Sequence, residues 1–331
     1  MRMSKVRVAV LRGGLSDEYA VSMQTGASIL KHIDRTRFDP LDIVITRTGE
    51  WLLNGKTCLP ENILHCVDVV LIGLHGTYGE DGTLQRLLDR YGVPYTGSRA
   101  FASGVAMNKV LTKRYLKDTG IKLAPHTQVS KDSYYELASV AERIADTFGP
   151  EYVIKPISSG SSVGTMIVKE KKLLEQALRD ALSRFDEVMV EMRIKGREAT
   201  CGVIERYRET PYYALPPVEI IVPERVEFFD QAVKYDGTTQ ELCPSSFNKK
   251  IKQEIEDAAR LVHQTLDLSQ YSRSDFIVAP DGVYFLEVNT LPGLTSESLM
   301  PKAISAVGGT YKDFITHLLT DAQQQFCRIR L

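Results

Sequence analysis

The segment Arg273-Ser-Asp275-Phe-Ile-Val-Ala-Pro280-Asp281-Gly282-Val-Tyr-Phe-Leu-Glu287-Val-Asn289 decides how this chain is read. It reads as two strands joined by a tight turn at Pro280-Asp281-Gly282. Side chains of a strand alternate faces. A turn that pairs Ala279 with Val283 sets Asp275 opposite Glu287 and Arg273 opposite Asn289, all on one face. The other face then collects Phe276, Val278, Tyr284, Leu286 and Val288, an apolar surface fit for a core. A slip of one residue would split the two carboxylates between faces. Two carboxylates and an amide oxygen suit a hard divalent cation such as Mg²⁺, which shares its remaining positions with water and phosphates. A half-buried hairpin with a solvated polar face fits these residues equally well.

The chain of 331 residues can hold two or three domains with a sizeable core. Charged residues make up 25% and hydrophobic ones 43%, the balance of an ordinary globular protein. A net charge of −1 leaves no basic footprint for nucleic acid and no attraction to an anionic membrane. Cys58, Cys66, Cys201, Cys243 and Cys327 are scattered without a CxxC pair. They indicate neither a zinc knuckle nor a disulfide framework, and reduced thiols fit a cytoplasm. The run Val8-Ala-Val-Leu11 is too short for a signal peptide, and no segment approaches the ~20 apolar residues of a membrane span.

Strands at Val6–Leu11, Phe38–Ile45 and Val67–Leu74, alternating with helices, predict a parallel sheet covered on both faces. Ser22 is read as the cap of a helix to Ile33, and a further helix spans 82–90. Ligands gather at the carboxyl ends of such strands, where Gly13-Gly14 and His75-Gly76 stand. This first unit covers residues 1–97. A second covers 98–191, with helices from Asn108 to Thr119, Asp132 to Phe148 and up to Ser183, and strands at 152–155, 165–168 and 187–191. The third covers 192–331. It contains a long polar connection at 223–243, a helix from Lys249 to Leu266, the hairpin and a terminal helix from Tyr311. Connections of that length are usually functional or disordered.

Lys155-Pro156 leads into Ser158-Ser-Gly-Ser-Ser-Val-Gly164, whose small residues let backbone N–H groups approach an anion. A flexible serine-rich turn is the plainer reading of the loop alone, which matches neither GxxxxGK[ST] nor GxGxxG. Lys155 and Lys109 flank it with positive charge. Glu191-Met-Arg-Ile-Lys-Gly-Arg-Glu198 reads as an extended linker that offers a backbone edge to an adenine and a carboxylate to a ribose. A charged connection between domains fits it as well.

Taken together, these pieces resemble the D-alanine–D-alanine ligases of the ATP-grasp superfamily. The resemblance rests on Gly13-Gly14-Leu-Ser16-Asp-Glu18 with Val21-Ser22, Leu74-His75-Gly76-Thr-Tyr-Gly79-Glu80-Asp81-Gly82-Thr83 and Pro94-Tyr95-Thr96-Gly97-Ser98. It continues through Met107-Asn-Lys109, Lys155-Pro156, Gly160-Ser161-Ser162-Val163-Gly164, Lys234-Tyr235 and Glu287-Val-Asn289-Thr-Leu-Pro292-Gly293-Leu-Thr295-Ser296. It runs over nearly the whole length. Each piece is moderately specific, and their order and spacing are highly so.

The resemblance implies an α/β chain with the ATP-grasp fold: three α/β or α+β domains with an N-terminal parallel sheet. The activity it implies is ATP-dependent joining of two D-alanines through an acyl phosphate, for peptidoglycan precursors. Lys109, Lys155 and Lys234 would hold ATP, with Ser162 and Val163 in the loop closing over its phosphates. Glu191, Ile194 and Glu198 would hold the adenosine. Asp275, Glu287 and Asn289 would bind two Mg²⁺, with Mn²⁺ as the alternative ion. Glu18 would receive the first ammonium, with His75 nearby, in a hydrogen-bonded set with Ser161 and Tyr235. Arg273 and Gly293 would face the oxyanion, and Ser298 the second carboxylate. The implied assembly is a cytoplasmic homodimer whose partners are two D-alanines.

Three positions depart from the family pattern. Met192 stands where a lysine is common, Ser159 where an acid is frequent, and Glu297 where a histidine is common. A carboxylate at 297 would repel a substrate carboxylate unless it points away or is protonated. Two alternatives accompany the reading: a second substrate such as D-lactate or D-serine, and a non-catalytic nucleotide-binding paralogue. Tyr235 argues against a D-lactate-type acceptor, and the complete set Asp275, Glu287 and Asn289 argues against the paralogue.

Overall fold

The structure is a computed structural model describing residues 5–158, 160, 163–221 and 240–329. Its first sheet is built around β1 (Val6–Gly13), which pairs in parallel with β2 (Phe38–Ile45) and β5 (Val69–Ile72). β3 (Trp51–Leu53) and β4 (Lys56–Thr57) extend it in the order β4-β3-β2-β1-β5. Val8 to Leu11 and Val69 to Leu71 are fully buried, as strands covered on both faces must be. Ile29 from the helix Tyr19–His32 and Leu84 and Leu88 from the helix Thr83–Tyr91 join this core. Phe314, Ile315 and Leu318 from the last helix, Tyr311–Ile329, pack there as well.

β6 (Lys122–Leu123) precedes a second, antiparallel sheet of β7 (His126–Ser130), β8 (Tyr152–Pro156), β9 (Met166–Val168) and β10 (Glu187–Met192), in the order β7-β10-β8-β9. The helices Leu137–Thr147 and Leu174–Arg184 pack on it through Val140, Ile144, Leu178 and Leu182. The third sheet holds β11 (Arg197–Tyr207), β12 (Thr210–Ala214), β13 (Val218–Ile221), β14 (Gln240–Leu242), β15 (Tyr271–Ala279) and β16 (Gly282–Asn289). The order is β14-β13-β11-β15-β16-β6, with β12 on β11. The helix Lys249–Thr265 buries Ile255, Ala259 and Val262, one stripe at helical spacing, against it. Asn248 caps that helix, its Oδ1 accepting from Ile251 N at 3.0 Å.

Several expectations need correction. Ser22 does not cap the first helix but lies buried within it. Its hydroxyl accepts from Gly13 N and donates to Gly73 O, so it ties the helix to the ends of two strands. The helix expected from Asp132 begins as a 3₁₀ turn at Lys131–Glu136 and becomes α-helical at Leu137. Residues 197–221 form strands, and Ala100–Met107 forms a helix not foreseen.

The hairpin differs too. Its turn pairs Ala279 with Gly282, one residue shorter than expected, and a bulge restores the pairing of Asp275 with Glu287 and Arg273 with Asn289. The core face consequently holds Phe276, Val283, Phe285 and Val288, whereas Tyr284 and Leu286 stay half-buried. Ser159, Ser161, Ser162, Lys234, Tyr235 and most of the 223–243 connection lie outside the described residues. Among the described residues no helix is long and apolar enough to cross a membrane.

Candidate active site

One cleft of about 800 Å³ runs between the three sheets, and the polar face of the β15–β16 hairpin forms part of its wall. Because Leu286 is the extra residue of the bulge, Leu286 and Glu287 both line the cleft. Arg273 holds Asp275 in a two-pronged pair, Nε to Oδ1 and Nη2 to Oδ2, each at 2.9 Å. Thr200 from β11 donates to Asp275 Oδ1 at 2.5 Å, and Asn289 Nδ2 to Oδ2 at 3.3 Å. Burial opposes the charge of Arg273, but Asp275, Glu287 and Glu80 outweigh it and push its pKa up.

The fit of a divalent cation can be judged from these donors. Glu287 lies 3.3 Å from Lys109 Nζ, so both hairpin carboxylates already face positive charge. With Nδ2 of Asn289 turned to Asp275, its amide oxygen is the atom left to offer a cation. Among the described residues no three His, Cys, Asp or Glu side chains converge as a closed metal cage. Two carboxylates and one amide instead suit Mg²⁺ completed by phosphates and water.

At one end of the cleft, the Glu191 carboxylate at the end of β10 is held by two lysines. Lys113 Nζ lies 2.7 Å from Oε2 and Lys155 Nζ 2.5 Å from Oε1. Burial works against the Glu191 charge, but the two ammonium groups outweigh it and lower its pKa to about 2. Burial likewise opposes the charge of Lys155, and Glu191 and Glu287 overcome it, raising its pKa. Lys109 opens the helix Lys109–Leu116, capped by Asn108 Oδ1 accepting from Leu111 N at 2.9 Å. Ile194, Glu198 and Met192 line the same end, as do the apolar Ile167, Ile277 and Leu286. Val163 is described but does not line the cleft.

At the opposite end stands Glu18. A methyl group added to Gly76 would come within 2.9 Å of Glu18 Oε2, and one added to Gly160 within 3.1 Å. The carboxylate thus lies between the His75-Gly76 turn and the start of the serine-rich loop. Ser16 Oγ donates to His75 O at 2.6 Å, fixing that turn. Gly293 and Ser298 line the cleft nearby, and Ser298 Oγ accepts from Thr295 N at 3.0 Å. Glu297 lines this corner too, with its side chain 84% exposed and 3.8 Å from Lys302 Nζ.

Three contributors were not foreseen. Lys113 follows Lys109 by four residues, which puts both on one helix face, and that spacing was its only signal. Glu80 stood inside the Gly79-Glu80-Asp81-Gly82 motif without a role. It is buried, and burial, then the charge of Glu18, raises its pKa to about 8. Thr200 carries no sequence signal at all.

Residues 115–320 match the family model for the D-ala D-ala ligase C-terminus, and residues 7–66 and 55–98 match the N-terminus model. The chain belongs to the D-alanine–D-alanine ligase family. It is 36% identical over 320 residues to a D-alanine–D-alanine ligase of Syntrophobacter fumaroxidans, covering 96% of this chain and 98% of that one. Among solved structures of this family and its kin, it resembles the VanG D-Ala:D-Ser ligase of Enterococcus faecalis with a TM-score of 0.82. That match has 29% identity and covers 97% of this chain and 100% of the other. It also resembles the D-alanine–D-alanine ligase of Bacillus anthracis complexed with ATP, with a TM-score of 0.76 and 29% identity over 97% and 99% of the two chains. The three sheets are therefore those of the ATP-grasp fold, as the ligase family resemblance implied.

Proposed function

We propose that this chain joins two D-alanines to D-alanyl-D-alanine, with ATP converted to ADP and phosphate, for peptidoglycan precursors. The observation that carries the reading is a single cleft with Glu18 at one end, Lys155 and Glu191 at the other, and the Asp275–Glu287 hairpin between them, in a chain of this family. A carboxylate is a poor acyl donor. An oxygen of the first D-alanine carboxylate attacks the γ-phosphorus, the bond to the β–γ bridging oxygen breaks, and ADP leaves behind an acyl phosphate. The second D-alanine, its amine deprotonated, attacks the acyl carbon. The C–O bond to phosphate then breaks and phosphate departs.

Each part of the chain has a task in this scheme. Lys109 and Lys155 hold the phosphates, and Glu191, Ile194 and Glu198 hold the adenosine, Glu191 being steadied by Lys113 and Lys155. Asp275, Glu287 and Asn289 would hold two Mg²⁺, which supply charge neutralisation between phosphates and carboxylate when bound. Glu18 receives the first ammonium. Arg273 and the Gly293 N–H face the oxyanion, where one donor is typically worth ~3–4 kcal/mol. Ser298 takes the second carboxylate, beside Glu297, whose own charge faces Lys302. Ser161, Ser162, Tyr235 and Lys234, outside the described residues, complete the loop and first-substrate sets on the family resemblance. The resemblance also supports a cytoplasmic homodimer, and the five free thiols suit that compartment. The sheets support a division near residue 191, whereas β6 and the helices Ala100–Met107 and Lys109–Leu116 belong with the third sheet rather than with a unit beginning at residue 98.

The test is ATP turnover with D-alanine alone and with D-serine or D-lactate as competing acceptors, products identified by mass. The reading expects ADP release dependent on D-alanine and D-alanyl-D-alanine as the main product. A mixture dominated by D-alanyl-D-serine or the D-lactate ester would overturn the acceptor assignment, and ATP turnover indifferent to D-alanine would overturn the whole reading.

A further inference from the structure

The Leu291 peptide lies between the hairpin and Gly293, and both of its polar atoms are held by one short stretch of the first unit. His75 Nδ1 is 2.9 Å from Leu291 O, and Leu291 N donates to Glu80 Oε1 at 3.0 Å. These contacts join positions 216 and 211 residues apart in sequence. A carbonyl oxygen only accepts, so His75 Nδ1 carries a proton. Its Nε2 lies 2.8 Å from the hydroxyl of Thr25, inside the helix Tyr19–His32 and away from the cleft. The second oxygen of Glu80 accepts from Gly76 N at 2.7 Å. Both ring nitrogens and both carboxyl oxygens are thus committed to protein groups.

We propose that His75 and Glu80, which line the cleft but spend their polar atoms on protein groups, are positioning residues that clamp the Leu291 peptide from both sides and so hold the Gly293 N–H at the acyl carbon. This rests on the function proposed above. Little slack separates the clamp from that donor, because Pro292 fixes one of the backbone angles between them. A methyl group added to Gly293 would stand 2.9 Å from Ser298 Oγ, so the clamped loop also sets the approach to Ser298. His75, Glu80, Thr25 and Leu291 are all buried, where such bonds gain strength from the low dielectric. Burial also lowers the pKa of His75, which keeps its ring neutral with Nε2 accepting from Thr25. The stretch that shapes the first-substrate wall therefore also places the donor for the second step.

The test combines ¹⁵N NMR of the histidine rings with three variants. The wild-type His75 ring is expected as the Nδ1–H tautomer, with or without ADP. Asparagine places its amide nitrogen near the position of Nδ1, whereas glutamine reaches toward that of Nε2. His75→Asn should keep kcat within about threefold, while His75→Gln and Glu80→Gln lose ~10–100-fold in kcat with the KM for ATP within about twofold. An Nε2–H tautomer, a His75→Gln variant more active than His75→Asn, or a Glu80→Gln loss confined to the KM for D-alanine would overturn the clamp. A wild type that forms no dipeptide would refute the proposed function, and the tautomer would still report on the clamp.

Discussion

Lys113 Nζ lies 2.7 Å from Glu191 Oε2, and neither side chain is more than 3% exposed. The pair joins the helix Lys109–Leu116 to β10, and Lys155 closes it from the other side. Removing one member of a buried pair leaves an uncompensated charge, which costs about 3–5 kcal/mol. Lys155 stays on Glu191 in Lys113→Met, so that variant should lower unfolding free energy by only part of that amount, though by more than about 1 kcal/mol, in urea denaturation. It should also raise the KM for ATP, because Lys155 would then carry the Glu191 charge alone. A stability change under about 1 kcal/mol would show that the pair does not hold the two elements together.

Glu80 opposes this pair in its dependence on pH. Its folded pKa is raised from 4.5 to about 8, first by burial and then by Glu18. A carboxyl raised in this way favours the fold while protonated, so its contribution is full below 4.5 and fades as pH rises through about 8. Glu191 has the reverse sign: its pKa of about 2 lies below 4.5, so its contribution is lost only as pH falls toward 2. Between those limits Glu80, together with Glu256, whose pKa burial also raises, should make stability decline with pH, and Glu80→Gln should remove its share of the slope. Thermal unfolding of both proteins across that range checks the sign. An equal slope in the two would contradict it.

These two carboxylates show what the sequence could and could not reveal. Glu191 drew notice as one of two acids in the Glu191–Glu198 segment, but only the family resemblance, not the residues alone, gave it a site role. Its partner Lys113 drew no notice, since a lysine in a helix reads as solvated until the fold brings a buried acid to it from 78 positions away. The parallel strands β1, β2 and β5 were legible as apolar runs. β11 was not, because its place in the sheet is settled by β15, some 70 residues later, and β12 and β13 take theirs from β11. Ser22 was misread as a cap because a serine before an apolar stretch carries the same signal whether it caps a helix or bonds outward from inside it. The hairpin is the most instructive case. Asp275 does face Glu287, but through a shorter turn and a bulge at Leu286 that no glycine or proline announces.

Glu287 and Asp275 face one another from paired positions, and Lys109 and Arg273 balance them. Glu287→Gln should keep the fold, since the Glu287 side chain is 28% exposed and glutamine keeps its shape. It should nevertheless lose turnover at saturating Mg²⁺ by at least ~100-fold, the scale of a lost phosphate-clamping group. Near-normal activity with an unchanged melting temperature would remove Glu287 from the metal set.

Glu297 is the departure closest to Ser298, the proposed seat of the acceptor carboxylate, and its exposed carboxylate lies 3.8 Å from Lys302 Nζ. Exposed ion pairs are worth about 0–1 kcal/mol. Glu297→Gln should accordingly change the KM for the acceptor D-alanine by less than about threefold, whereas Ser298→Ala should raise it well beyond that. Steady-state kinetics in D-alanine separates the two. A large improvement from Glu297→Gln would mean that its carboxylate does repel the acceptor.

The central claim is that ATP activates the first D-alanine by phosphorylating its carboxylate. It is tested by supplying D-alanine labelled with ¹⁸O in the carboxylate and weighing the released phosphate. One ¹⁸O atom should pass to inorganic phosphate for each D-alanyl-D-alanine formed, with ADP unlabelled. Phosphate free of label, or label recovered in AMP, would contradict the acyl phosphate and the arrangement of Lys109, Lys155, Asp275 and Glu287 around it.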